Sequence, residues 1–187
     1  MPQTKSNSTS TKGSSTHKGS TTQKGSKSPA TAPKKSVNAS SSKNSEAEIK
    51  VLKELYLNAD TGKLSVDNVI KKIEDNGLRN LLLSHYESYN ELSNKIAVQL
   101  NKNGETPKES NVFGKAMLWS SINLNTLFDK TPSHIADMMI QGNNMGIISI
   151  NKELNCNSDL LSEDTKNLAT DLLSLEQKNV DDLKAFL

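Results

Sequence analysis

Four side chains have the types and the approximate placement to hold a metal ion. His85 and Glu176 each fall on a line of apolar residues at helical spacing, and His134 opens another helical segment with Asp137 one turn further on. Two imidazoles and two carboxylates meeting inside a helical bundle would suit Fe or Mn. The alternative for the same residues is plainer: a buried His–Glu hydrogen bond and a surface histidine near a helix start. Nucleophilic chemistry has less to work with. Cys156, the single cysteine, lies in a polar Asn/Ser context without the neighbouring cation that would favour a thiolate. The chain has no phosphate-binding loop, dinucleotide fingerprint or zinc-type Cys/His spacing, so its reading is non-enzymatic, with no catalytic residue.

A second kind of chemistry sits in residues 1–45. This stretch holds eight lysines and no carboxylate, while the remaining 15 Lys and Arg accompany all 21 Asp and Glu. The formal net charge of +2 therefore hides a basic segment near +8 and an acidic one near −6. Lys-Gly-Ser recurs every six residues at Lys12, Lys18 and Lys24, followed by Lys27, Lys34 and Lys35. Those six lysines are the candidate contacts for nucleic acid or another polyanion, through salt-dependent, sequence-independent attraction. No aromatic residue is interleaved, so base stacking is not expected. The alternative role is a solubilising tether. With no Leu, Ile or aromatic side chain to bury, residues 1–45 are expected to be a disordered tail.

The elements that would position the first set of residues lie in 46–187, a length suited to one domain with a real core. Ser45 is the expected N-cap of a first helix, with Glu48 in the capping-box position. Ile49, Leu52, Tyr56, Ala59, Val66, Ile70 and Ile73 continue one stripe through Thr61-Gly62 until Asn76-Gly77 ends it. A second helix over 78–102 turns Leu78, Leu82, His85, Tyr89, Leu92, Ile96 and Leu100 inward. A third is expected over 112–128, with Phe113, Met117, Ser120, Leu124 and Leu127 inward.

A fourth segment over 132–154 begins at Pro132, which suits a first helical turn. It carries Ile135, Met138, Met139, Gly142, Met145, Gly146 and Ile150. Gly142 and Gly146 read as a close-approach site for a neighbouring helix, within the bundle or at a dimer seam. The last helix, 163–186, aligns Ala169, Leu173, Glu176, Val180, Leu183 and Leu187. No period-two pattern suggests strands. The fold class is all-α, an up-down helical bundle behind a basic tail.

The stretch Lys115-Ala-Met-Leu-Trp-Ser-Ser-Ile-Asn-Leu-Asn-Thr-Leu-Phe-Asp-Lys130, followed by Ser133-His-Ile-Ala-Asp-Met-Met-Ile-Gln-Gly-Asn-Asn-Met-Gly146, resembles an uncharacterised ferritin-like bundle family of low-GC, spore-forming bacteria, over residues 46–187. The resemblance implies a ferritin-like four-helix bundle, and some relatives of that fold carry a di-iron site. Such a site needs two Glu-x-x-His motifs and two further Glu. Here Leu82 stands three residues before His85, Thr131 three before His134, and Asn179 occupies the position a His would take after Glu176. The resemblance therefore carries the fold and not the oxidase or iron-storage activity.

The absence of an apolar leader, of a long apolar run and of a cysteine pair sets the expectation of a soluble cytoplasmic protein without a membrane span. Expected partners are a second copy through the bundle faces and a polyanion through the tail. The alternatives are a degenerate ferritin-like metal-binding protein and a spore- or nucleoid-associated protein that packs nucleic acid.

Overall fold

The computed structural model describes residues 13–14, 37–107 and 129–187, with side chains described in the second stretch from residue 43. Contacts divide the chain into Met1–Lys34 and Lys35–Leu187. Lys12, Lys18, Lys24, Lys27, Lys34 and Lys35, and the helix expected over 112–128, lie outside the described residues.

Four long helices make up the described body: α1 (Val37–Ile70), α2 (Asn76–Lys102), α3 (Pro132–Asn157) and α4 (Glu163–Leu183). Short 3₁₀ turns, Ser158–Leu160 and Lys184–Phe186, follow α3 and α4. The described residues contain no strand, and no helix among them is long and apolar enough to cross a membrane.

Three helix starts have a local cause. Asp75 caps α2, its carboxylate accepting from Leu78 N–H at 2.8 Å, and Arg79 reaches back to the Ile73 carbonyl at 2.5 Å. Thr131 caps α3 by accepting from His134 N–H at 3.3 Å, with Pro132 in the first turn as expected. Ser162 caps α4, where Glu163 and Asp164 place negative charge at the positive end of the helix dipole.

Several expected boundaries move. α1 begins at Val37, so Ser45 is interior to the helix rather than its cap. Between Pro33 and Glu46 the sequence has no glycine or proline to stop a helix, and the charge boundary and the structural boundary need not coincide. α1 is continuous through Thr61-Gly62 and stops at Ile70. Asn76-Gly77 does not terminate it but opens α2 behind the Asp75 cap. α3 extends to Asn157, so Cys156 is exposed on its last turn rather than in a loop.

Glu48 caps a different helix from the one expected. Its carboxylate accepts from Ser162 N–H at 2.8 Å and Ser162 Oγ at 2.5 Å, and also from the Thr165 hydroxyl. It thereby fastens α1 to the N-terminus of α4.

Contacts also fix the helix directions. Lys53 meets Glu105 at 2.9 Å while Gly62 lies against Tyr89, so α1 and α2 are antiparallel. Lys50 meets Glu153 at 2.8 Å and Asn58 meets the Gly146 carbonyl at 3.2 Å, so α1 and α3 are antiparallel. Ser133 reaches Leu187 and Gly146 faces Glu176, making α3 and α4 antiparallel. It follows that α2 and α3 run parallel.

The core collects Leu52, Leu55, Val66, Leu82, Ile96, Ile135, Ile150, Leu172 and Leu183 from all four helices. All seven residues of the expected α2 stripe are buried.

Candidate functional site: a polar floor beneath an apolar cleft

A cavity of about 290 Å³ opens between α1 and α3, with one residue from α2 and one from α4 reaching its lining. Leu57 and Val69 from α1 and Met138, Met139 and Met145 from α3 supply apolar walls. Tyr89 from α2 and Glu176 from α4 supply polar groups from its far side, both side chains almost wholly buried. Met145 is 54% exposed, so the cleft meets solvent along α3.

Two glycines let the floor form. A Cβ on Gly62 would lie 2.6 Å from the Tyr89 ring, and a Cβ on Gly146 would lie 2.8 Å from Glu176 Oε1. Both distances are below any real carbon contact, so the phenol and the carboxyl occupy space that a side chain would need. The expected close-approach role of Gly146 is thus intramolecular.

The hydrogen bonds are sparse for so buried a place. Tyr89 Oη donates to Asn143 Oδ1 at 2.9 Å, and Asn143 Nδ2 donates to the Met139 carbonyl at 2.6 Å. The phenol oxygen is also in hydrogen-bonding range of the Glu176 carboxyl. Glu176 Oε2 has no hydrogen-bond partner among the described residues, and the buried Asn179 amide has at most a weak contact with the Tyr89 phenol. Unpaired buried polar atoms cost roughly 1–3 kcal/mol each, so this floor is held in an unfavourable state by the packing around it.

Burial dictates the charge. Loss of hydration pushes the Glu176 carboxyl up to about 8, while the Tyr89 hydrogen bond pulls it back in part. Glu176 is therefore a neutral acid at pH 7. The Tyr89 phenol is raised well above its usual range, first by burial and then by the nearby Glu176. Among the described residues no lysine, arginine or histidine belongs to the lining, and Glu54 adds a second carboxyl.

The four metal candidates do not come together here. His85 is buried and its Nε2 lies 3.4 Å from Asp182 Oδ2, and Asp182 is also paired with Lys178. Burial lowers the His85 pKa, with the Asp182 contact acting in the opposite direction. His134 is exposed at the start of α3, and Asp137 accepts from Gln141 at 2.9 Å on the surface. No group of three or more His, Cys, Asp or Glu among the described residues is arranged to hold a metal ion. These residues do not fit a di-iron centre.

The sequence reading gives Asn143, Asn179 and Gly62 no part in a site, and places Tyr89 only in the core. One signal was available: Leu172, Glu176, Asn179 and Leu183 form a 4-3-4 line that carries two polar residues through an otherwise apolar seam. No protein-family model, curated protein or solved structure matches this chain.

Proposed function

We propose that the chain is a non-enzymatic binding module, a ferritin-like helical bundle whose cleft takes up a small, mostly apolar molecule with one polar end. The observation that carries this reading is Glu176, buried at the floor of an apolar-walled cavity with one carboxyl oxygen that has no partner among the described residues. Ligand sites in bundles are built this way, from apolar walls and a few converging polar groups, and this cavity stands near the small end of their size range.

The test is calorimetric titration of the full chain with 1-hexanol, whose alkyl chain suits the cleft and whose hydroxyl can reach its floor. Saturable binding that is lost in Met138→Trp, which fills the slot, is the expected result. Binding unaffected by that substitution sinks the reading.

A second reading concerns the first 45 residues, favoured by their eight lysines and complete lack of carboxylates. They act as a tether that contacts nucleic acid or another polyanion, outside the bundle's own chemistry. Duplex DNA binding should weaken steeply with salt and vanish when residues 1–34 are deleted. DNA binding that survives the deletion removes this role.

A further inference from the structure

The cleft's charge pattern narrows its ligand. Among the described residues its lining contains two carboxyl side chains, Glu54 from α1 and Glu176 from α4, and no basic residue. Among the described lining residues, α2 adds only the Tyr89 phenol as a titratable group and α3 adds none. His85, one turn from Tyr89, is directed to Asp182 instead. An anionic ligand would find no counter-charge among these described residues.

The floor's hydrogen-bonding capacity points the same way. Tyr89 has already given its proton to Asn143, and Asn143 has already given one of its own to the Met139 carbonyl. The floor offers acceptor capacity to such a head: the phenol lone pair and, once Glu176 has given up its proton, its carboxylate. A ligand head with several N–H donors satisfies both at once, whereas an alcohol brings a single donor. Resting on the proposed binding role of this cleft, we infer that its ligand is a lipophilic primary amine, bound as the ammonium with Glu176 as its counter-ion.

The proton balance follows. The amine arrives as R–NH₃⁺ at neutral pH, like a lysine side chain. Glu176 in the empty cleft is the neutral acid, since burial without a counter-charge disfavours the carboxylate. Binding converts the acid to a carboxylate beside the ammonium and releases one proton to solvent. Neither partner is oxidised or reduced, and no covalent bond between protein and ligand forms. The Met138, Met139 and Met145 side chains, unbranched and adaptable, accept the alkyl part.

The experiment is calorimetry of the full chain at pH 7 with hexylamine, 1-hexanol and hexanoate, in phosphate and in Tris. Hexylamine should bind at least about tenfold more tightly than hexanol, as expected for a charged hydrogen-bonded head, and hexanoate should not bind. The hexylamine heat should differ between the buffers by the ionisation heat of about one proton. Glu176→Gln, with its fold checked by circular dichroism, should narrow the amine–alcohol gap to within about threefold. Hexanol binding without amine preference, or an amine heat that is the same in both buffers, overturns this inference and leaves the cleft reading intact. Failure of all three probes to bind overturns both. The buffer comparison uses the unaltered chain, so the inference is decided even if the Gln variant does not fold.

Discussion

Gly146 and Glu176 meet across the α3–α4 seam so closely that a Cβ at 146 would stand 2.8 Å from the carboxyl oxygen. The corresponding contact on the other side of the cleft is Gly62 against the Tyr89 ring, at 2.6 Å. The two differ in what must yield. At 146 the obstacle is the end of a flexible side chain; at 62 it is a rigid aromatic ring that is already hydrogen-bonded to Asn143. Replacing either glycine by alanine gains up to about 1 kcal/mol of helix propensity. Overpacking against the ring costs roughly 1–3 kcal/mol. Gly62→Ala is therefore expected to be the more damaging substitution, with a urea midpoint below that of Gly146→Ala. Equal midpoints would show that the Tyr89 ring is free to move aside.

The Glu176 carboxyl makes stability depend on pH in a direction unusual for an acid. Its pKa is about 8 in the fold against an ordinary value of 4.5, so the folded state holds the proton more tightly than the unfolded one. The stabilisation is fully present below pH 4.5 and is lost as pH rises through 8. The loss is on the order of 3–5 kcal/mol at its upper bound, less where water reaches the carboxyl. Thermal melts of the native chain should fall in Tm between pH 5 and pH 8.5. Glu176→Gln, which cannot ionise, should flatten that slope, and a variant with an unchanged slope would locate its cause elsewhere.

His85 works from the other side. Burial lowers its pKa below 6.5, against the pull of Asp182, so the fold prefers the neutral imidazole. Its contribution is present above pH 6.5 and is lost as pH falls through the lowered value. His85→Gln should reduce the loss of Tm between pH 7 and pH 5 while leaving the alkaline slope from Glu176 intact. The two slopes arise from separate groups, since His85 pairs with Asp182 and Glu176 with Tyr89. The double variant should lose both.

The bundle was legible in the sequence where one face alone is apolar. The α2 stripe from Leu78 to Leu100 is such a case, because each 3–4 step meets an apolar or aromatic residue, or His85, and every one is buried. α3 was less clear. Its expected stripe included Met145, which is 54% exposed, and omitted Asn143, which is buried. Hydrophobicity favours the methionine at that choice; what reverses it is the Tyr89 hydroxyl on the facing helix, which no local pattern displays. The same limit applies to α4, where Leu172 and Asn179 are buried while Leu173 is only half-buried and Leu187 is exposed. Glu176 was recognised as an inward carboxylate, yet its partner was expected to be histidine. Which groups meet across a seam depends on helix direction, and the parallel course of α2 and α3 is carried by no short motif.

The tie from Glu48 to the start of α4 offers a test of how the bundle closes. One buried carboxylate accepts from the Ser162 backbone N–H, the Ser162 hydroxyl and the Thr165 hydroxyl, across more than a hundred residues of chain. Charge-assisted hydrogen bonds of this kind contribute about 1.5–3 kcal/mol, and the negative charge also complements the helix dipole. Removing the carboxylate leaves the Ser162 N–H and the buried Thr165 hydroxyl without their acceptor. Glu48→Ala is expected to destabilise the chain by about 2–4 kcal/mol in urea unfolding. Glu48→Gln keeps one acceptor oxygen and should lose about half as much. Hydrogen exchange at the first turn of α4 should accelerate in both variants before exchange in α2 changes. Acceleration spread evenly over α2 and α4 would mean that Glu48 supports the whole core rather than this one helix end.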